Sequence, residues 1–353
     1  MNVLIFGTGS VADLVENELK KGINIIGYLD NSKDKIGKYL KEKKIYEVEF
    51  VKKCSYDCII IASQYIEEMY NQLIELGVDE NKILNYFLYK SISDNLFKNK
   101  LSEFNQMKKV DVIITGLSYA HSGINAFLNK KVINFALGSQ DLYCDKSIVT
   151  FILDKYKSKI NKNSKCIIAL SYYSFQYDLS KSLLKDRVMR YYPYINVCKN
   201  NELYYSKIKE AKIAKSLGIK IIYSNIEDKQ DKQELNYDIG KIWAERDSNK
   251  NYPETVEENK KIFDDYLTLL RMYDIEAIVV VCPTSKYYSK YFDDRVSKEF
   301  NSIINQFKNK YNFQYLDYFC SDVFEDSDFL DVSHLNKKGA EKFTNILNEV
   351  IAW

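Results

Sequence analysis

Short apolar runs alternate with amphipathic segments along most of the chain. The runs VLIF (residues 3–6), CIII (58–61) and IVVV (278–281) have the length of buried strands. The segments between such runs repeat apolar residues at spacings of three and four, which is typical of helices that cover a sheet. This alternation predicts an α/β protein built from two doubly wound parallel sheets.

The first predicted unit covers residues 1–90 and begins with a strand, a glycine-rich turn and a helix. Gly7, Gly9 and Ala12 form the pattern G-x-G-x-x-A, in which small residues permit a tight turn and close approach to a phosphate. A second strand ends at Asp30, where a carboxylate can bind a ribose hydroxyl. These four residues are candidates for a nucleotide site. The same turn can equally serve to pack the first helix against its own sheet.

Four stretches of this unit carry a family resemblance, namely VLIFGTGSVA, IIGYLDNS, YDCIIIAS and QLIELGVDENKI. They resemble the small Rossmann-like domains attached to enzymes of surface-polysaccharide biosynthesis, such as sugar O-acyltransferases. The resemblance implies a Rossmann-like fold for residues 1–90. It leaves open whether the unit binds a nucleotide or sugar nucleotide, or has a purely structural role.

A polar segment at 91–109 predicts a linker helix, after which the pattern restarts for a second unit at 110–353. This unit includes a predicted helix at 200–217 and a predicted strand at 218–225. Ligands of open parallel sheets bind at the carboxyl ends of the strands. The residues at the predicted strand ends are rich in glycines and hydroxyl groups: Gly116-Leu117-Ser118, Gly138-Ser139, SYYS (171–174) and CPTS (282–285).

Ser118 is the candidate nucleophile because it follows the first strand of the second unit. A serine needs a base to become a nucleophile, and the base needs an orienting group. The chain has two histidines, so the base is either His121 or His334. Asp331 lies three residues before His334, and in a helical turn its carboxylate would share a face with the imidazole and orient it.

Three blocks, in this order along the chain, carry a second resemblance: TGLSYAHSG, NFALGSQ and FLDVSHLNKKGAEKF. They resemble the serine, glycine and Asp-x-x-His blocks of the SGNH (GDSL-like) hydrolase superfamily. The resemblance implies a flavodoxin-like α/β domain over residues 110–353. It also implies that Ser118 is the nucleophile, His334 the general base and Asp331 its partner, with the N–H groups of Ser118 and Gly138 in the oxyanion hole.

The chain departs from the pattern of that family at two places. Leu117 stands where the first block has an aspartate, and the third block lacks the asparagine that donates to the oxyanion. Either Ser171 or Ser174 replaces this asparagine, or the oxyanion hole rests on two donors. The stretch GLSYA (116–120) also resembles the nucleophile elbow of α/β-hydrolases. The position of the serine after the first strand, and the acid three residues before the histidine rather than on a separate earlier strand, favour the SGNH arrangement.

Residues outside the three blocks are candidates for substrate contact. His121 would line the site from the helix that follows Ser118. Tyr172 belongs to a tyrosine-rich run whose rings can stack on sugars, and Arg187 and Arg190 can bind a phosphate or carboxylate. Such a stretch also commonly serves as a lid or a packing layer.

Composition narrows the class of protein. The net charge is +2 over 353 residues, which gives no indication of binding to nucleic acid or to an anionic membrane. No apolar run approaches the ~20 residues that span a bilayer, and the N-terminus has no signal-peptide pattern. We therefore expect a cytoplasmic protein. Its seven cysteines are scattered and form no zinc pattern.

These observations together predict a serine esterase or O-acyltransferase of bacterial cell-surface glycan biosynthesis, with no required cofactor or metal. Its substrate would be a carbohydrate or glycan precursor, and the acyl donor stays open. One alternative is a catalytically inactive binding or scaffold protein of the same fold, which a Ser118–His334 separation beyond hydrogen-bond reach would favour. Another is a protein that acts by binding a nucleotide sugar in its first unit.

Overall fold

A computed structural model describes residues 1–63, 65–86, 96–125, 127, 129–192, 194–219 and 235–353. The described residues fall into two compact units. One lies within Met1–Asn95 and Asn200–Asn225, and the other within Leu96–Lys199 and Ile226–Trp353. Each unit has one sheet and its own helices, so the predicted α/β class with two parallel sheets is confirmed.

The strands and helices of the described residues alternate along most of the chain. The strands are β1 (Asn2–Phe6), β2 (Asn24–Leu29), β3 (Tyr39–Leu40), β4 (Lys43–Tyr46), β5 (Cys58–Ile61), β6 (Ile83–Asn85), β7 (Val110–Gly116), β8 (Val132–Asn134), β9 (Ile160–Leu170), β10 (Glu276–Val281) and β11 (Gln314–Asp317). The α-helices are α1 (Ser10–Glu18), α2 (Ile66–Glu75), α3 (Leu96–Gln106), α4 (Ser118–Gly123), α5 (Leu142–Tyr156), α6 (Asn201–Leu217), α7 (Tyr237–Ser248), α8 (Pro253–Met272), α9 (Lys286–Ser289), α10 (Asp294–Tyr311) and α11 (Lys337–Val350).

The first unit has a six-stranded sheet in the order β3-β4-β2-β1-β5-β6. All neighbouring strands pair in parallel except β3 and β4. Val3 and Ile5 of β1 lie in one buried apolar cluster, and Leu4 and Phe6 lie in another. Because successive side chains of a strand point to opposite faces, the unbroken apolar run of β1 reflects a sheet that is covered on both sides.

Helix α6 belongs to the first unit, whereas the sequence interpretation placed it in the second. Ala214, Leu217 and Ile219 lie in the same buried cluster as Val3 and Ile5, and the Lys20 N–H donates to the Leu217 carbonyl over 3.0 Å. An apolar helix face does not indicate which sheet it covers, so its place in the chain order was a poor guide. The strand predicted at 218–225 lies, beyond residue 219, outside the described residues.

The second unit has a five-stranded, fully parallel sheet in the order β11-β10-β9-β7-β8. Helix α3, which falls within the predicted linker at 91–109, buries Phe97, Leu101 and Phe104 and packs in this unit, where Phe97 contacts Phe135. Residues 87–95 lie outside the described part of the chain. Among the helices that the structure describes, none is both long and apolar enough to cross a bilayer.

Candidate active site

The candidate site lies where β7 ends and α4 begins. Gly116, the last residue of β7, has a φ of +137°, and a Cβ added there would lie 2.2 Å from the Ala169 carbonyl oxygen on β9. Only glycine fits this close approach. The chain then turns through Leu117, and Ser118 becomes the first residue of α4. Its N–H group is therefore among the helix N-terminal donors that lack an intrahelical acceptor.

Ser118, His334 and Asp331 form one hydrogen-bonded line, although 216 residues separate the first two. His334 Nε2 lies 2.8 Å from Ser118 Oγ. On the other side of the ring, Nδ1 lies 2.9 Å from Asp331 Oδ2 and 3.0 Å from Oδ1. The structure therefore brings together the three residues that the sequence singled out, in an arrangement in which a histidine can take the serine proton.

The Asp331–His334 segment reaches this geometry without a helical turn, contrary to the conditional expectation. It lies in a bend before α11, where Asp331 Oδ1 accepts the N–H groups of Ser333 and His334, each over 2.8 Å. A short acidic side chain readily forms such local bonds to the following backbone. The imidazole and its carboxylate partner are thus fixed by one short turn.

The carboxylate of Asp331 is stabilised in its charged form. Burial alone would raise its pKa, but the hydrogen bond and charge interaction with His334, together with the two N–H groups, lower the pKa overall. The side chains of His334 and Asp331 are 20% and 12% exposed. An ionised acid at this position favours the proton on Nδ1, and leaves Nε2 free to accept from Ser118.

Gly138 lies against Ser118. A Cβ added at Gly138 would lie 3.8 Å from the Ser118 Cβ, and no acceptor for the Gly138 N–H occurs among the described residues. Arg190 donates to the Gly138 carbonyl over 2.9 Å, and Arg187 donates to the Ser139 hydroxyl. The two candidate substrate-binding arginines therefore hold the turn that carries Gly138.

Ser171 ends the neighbouring strand β9, and it is 3% exposed. Its hydroxyl has no hydrogen-bond partner among the described residues, while its backbone is held by Ser174, whose hydroxyl accepts the Ser171 N–H over 2.9 Å. A buried hydroxyl without a partner is uncommon. Of the two serines, Ser171 therefore has a hydroxyl donor that is not used by another described residue, whereas the Ser174 hydroxyl is engaged with the Ser171 backbone.

The other two candidates for substrate contact have different surroundings. The Tyr172 hydroxyl donates to Asp317 Oδ2 over 2.9 Å, and its ring packs against Phe319 with centroids 4.2 Å apart. Tyr172 therefore packs within the second unit, and its contact with a substrate stays a prediction. His121 is half-buried on α4 and donates its backbone N–H to Leu117. His334, not His121, is the histidine bonded to Ser118.

One contact of this site was missed in the sequence. The ring of Tyr119 stacks on the imidazole of His334, with centroids 5.1 Å apart and planes inclined by 23°. The stretch SYAHSG gives no indication of it, because the contact depends on how α4 and the bend before α11 meet in space.

The first unit has a separate cavity of 570 Å³, whose lining includes Gly7, Gly9 and Asp30. Gly7 has a φ of +110°, and a Cβ there would lie 2.6 Å from the Ala62 carbonyl oxygen, whereas nothing lies within 4 Å of a Cβ added at Gly9. Ala12 is fully buried in the apolar core. Three of the four candidates therefore share the cavity, and Ala12 packs α1 on the sheet.

Asp30 is already engaged in this cavity. Its carboxylate accepts bonds from Thr8, from Lys35 Nζ over 3.2 Å, and from the Ser32 N–H over 2.8 Å. Burial would raise its pKa, but these partners lower it overall. A nucleotide hydroxyl would have to share Asp30 with Thr8 and Lys35, two residues that the fingerprint pattern does not identify.

Comparisons with known proteins match parts of the chain. Residues 1–84 match the model of the family described as C2185-like, N-terminal. No curated protein matches the chain. A UDP-D-quinovosamine 4-dehydrogenase from Vibrio fischeri is 20% identical over 24% of this chain and 75% of its own, with a TM-score of 0.20. A candidate acylhydrolase from Bacteroides fragilis is 10% identical over 72% of this chain and 95% of its own, with a TM-score of 0.36. TM-scores this low give no indication of the chemistry of this chain.

Proposed function

We propose that the second unit is a serine esterase or O-acyltransferase of the SGNH type that acts on a carbohydrate, in the biosynthesis of bacterial surface glycans. The observation that carries the proposal is the line of hydrogen bonds from Ser118 through His334 to Asp331, with distances of 2.8 and 2.9 Å. A binding or scaffold protein of the same fold has no need to keep these three groups within hydrogen-bond reach.

In the first half of the reaction, Ser118 Oγ attacks the carbonyl carbon of an acyl ester while His334 Nε2 takes its proton. The carbonyl π electrons move to oxygen, and the N–H groups of Ser118 and Gly138 would donate to the negative charge that forms. The Ser171 hydroxyl would supply a third donor. When the intermediate collapses, the ester C–O bond breaks and the leaving oxygen takes the proton from His334.

In the second half, water or a sugar hydroxyl attacks the acyl-enzyme. His334 takes the proton of the attacking group, the bond between the acyl carbon and Ser118 Oγ breaks, and Ser118 is reprotonated. Hydrolysis and acyl transfer differ only in this acceptor. Asp331 stays ionised throughout and stabilises the imidazolium that forms in each half.

The test is the hydrolysis of p-nitrophenyl acetate, followed from the first turnover. The wild type should release a burst of p-nitrophenolate equivalent to the enzyme, and Ser118→Ala should reduce the rate to background. Ser122→Ala, on the same helix, is the matched control and should retain the burst. His334→Gln should abolish it and His121→Gln should not. A Ser118→Ala variant that retains activity would refute the proposal.

A second candidate function is sugar-nucleotide binding by the first unit, which the cavity lined by Gly7, Gly9 and Asp30 favours. A UDP-sugar or NAD should then raise the Tm of the wild type. Because a Cβ added at Gly9, which lines the cavity, has no neighbour within 4 Å, Gly9→Leu should narrow the cavity without unfolding the protein and should abolish the shift. A wild type whose Tm does not respond would refute this candidate.

A further inference from the structure

Three sides of the His334 imidazole are in contact with other side chains. In the plane of the ring, Nδ1 meets Asp331 and Nε2 meets Ser118. One face of the ring is covered by Tyr119, which follows Ser118 directly in α4 and is 7% exposed. The two hydrogen bonds fix the ring along one axis, and the stacked phenol limits rotation about that axis.

The phenol of Tyr119 is itself held in place from behind. Its hydroxyl interacts electrostatically with those of Tyr288 and Tyr173, and Tyr288 donates to Asp247 Oδ2 over 3.1 Å. Tyr173 and Tyr288 are 9% and 0% exposed. A rotation of Tyr119 away from His334 would therefore disturb a buried group of three phenols that is anchored on Asp247, which costs free energy.

Asp247, the buried carboxylate at the end of this series of contacts, is paired with two cationic side chains. Arg246 donates to both of its oxygens, over 3.1 and 3.0 Å, and Lys250 Nζ lies 3.1 Å from Oδ1. Lys250 also lies over the Tyr173 ring, 4.6 Å from its centroid. Burial keeps the pKa of Tyr119 and Tyr288 well above the ordinary value, so both phenols stay neutral hydrogen-bonding groups.

We infer that Tyr119 is a positioning residue that holds the His334 imidazole in line between Ser118 and Asp331 and stabilises its protonated form. The face of a phenol ring is electron-rich, so that it attracts a cation stacked on it. The titratable groups in contact with the pair are Asp331 on His334, and Tyr173 and Tyr288 on Tyr119, with Asp247 behind them. The kinetic consequence rests on the proposed function, whereas the effect on the imidazole does not.

A direct test uses the fact that the chain has only two histidines. The pH titration of their ring resonances can be followed by NMR in histidine-labelled protein and assigned with His121→Gln. Tyr119→Leu should move the titration curve of His334 to lower pH by about half a unit, and leave that of His121 in place. Tyr119→Phe, which keeps the ring, should stay close to the wild-type curve. A leucine variant whose His334 titrates like the wild type would overturn the inference.

Since removal of a buried ring can also impair folding, a second pair of variants separates electrostatics from packing. Tyr119→Phe and Tyr119→pentafluorophenylalanine have similar shapes, but fluorination reverses the charge distribution of the ring. The fluorinated variant should shift the His334 curve to lower pH relative to Tyr119→Phe. Coincident curves in these two folded variants would refute the electrostatic role.

Ester hydrolysis supplies the kinetic readout. Tyr119→Leu should lower kcat about fivefold and leave KM unchanged, and Tyr119→Phe should restore most of it. Tyr266→Phe is the matched control, because its buried hydroxyl contacts Thr115 at 3.0 Å and Cys166 at 3.3 Å rather than His334. If the wild type hydrolyses no ester, the proposed function fails and the NMR titration still decides the inference. If Tyr119→Leu lowers only the folded fraction, with kcat per folded molecule and the His334 curve unchanged, the residue is merely structural.

Discussion

Replacement of Asp331 by asparagine should convert His334 from an acceptor of the serine proton into a donor. In the wild type, Asp331 Oδ1 accepts the backbone N–H groups of Ser333 and His334, both over 2.8 Å, and Oδ2 lies 2.9 Å from Nδ1. An asparagine that keeps its oxygen on the two N–H groups must place its amide nitrogen beside Nδ1. The imidazole proton then moves to Nε2, which faces Ser118.

This change of tautomer should lower kcat for ester hydrolysis by about 10⁴, the loss that the same exchange causes in a serine protease triad. In terms of transition-state stabilisation, this corresponds to ~5 kcal/mol. The free energy of unfolding should fall by only about 1 kcal/mol or less, because the turn keeps its two backbone bonds.

The assay is the steady-state hydrolysis of p-nitrophenyl acetate, with urea unfolding measured on the same samples. Asp322→Asn, an exposed acid in the same stretch, is the control and should behave as the wild type.

The lowered pKa of Asp331 means that its contribution to stability is present above the unfolded value of about 3.9 and is lost as the pH falls through the lower folded value. Asp331→Asn should lack this loss in acid. A variant that keeps its fold and retains activity within about tenfold of the wild type would refute the role of Asp331.

Two further predictions concern the fold around the site. Gly116→Ala should reduce the free energy of unfolding by about 2 kcal/mol or more, because the new Cβ would lie 2.2 Å from the Ala169 carbonyl oxygen; urea unfolding checks this, and a loss below ~0.5 kcal/mol would contradict it. Burial and repulsion by Asp141 raise the pKa of Asp145, which outweighs the hydrogen bond from Gln140. Its stabilising effect is therefore greatest below the unfolded value of about 3.9 and is lost as the pH rises. Asp145→Asn should accordingly be more stable than the wild type at neutral pH, by a margin that shrinks toward about pH 4; a margin that is independent of pH would contradict the reasoning.

The pairing of Ser118 with His334 was implied by the resemblance of the three sequence blocks, because the residues alone left both His121 and His334 open as the base. Parallel strands bring their carboxyl ends to one edge of the sheet, which agrees with a serine after β7 meeting a histidine before α11 across more than two hundred residues. The acid three residues before the histidine needed only a local turn. The helical turn considered for it is not formed, since short acidic side chains bond to the following backbone in several conformations.

Contacts that depend on tertiary packing could not be read in the same way. The apolar face of α6 fits either sheet equally well by its pattern, and only the structure shows that it covers the first. The charges of Arg187 and Arg190 predicted substrate contact, which stays a prediction, but they gave no indication that both side chains also bond to the glycine turn. Nothing in the sequence distinguishes Tyr119 from the other tyrosines among the 30 of the chain, because its stacking on His334 depends on tertiary packing.

Mass spectrometry after exposure to a fluorophosphonate probe tests the central claim most directly. The account predicts that the wild type gains the mass of one phosphonyl group, that peptide mapping places it on Ser118, and that Ser118→Ala gains none. A wild type that stays unmodified, or a modification that persists in Ser118→Ala, would contradict the assignment of Ser118 as the nucleophile.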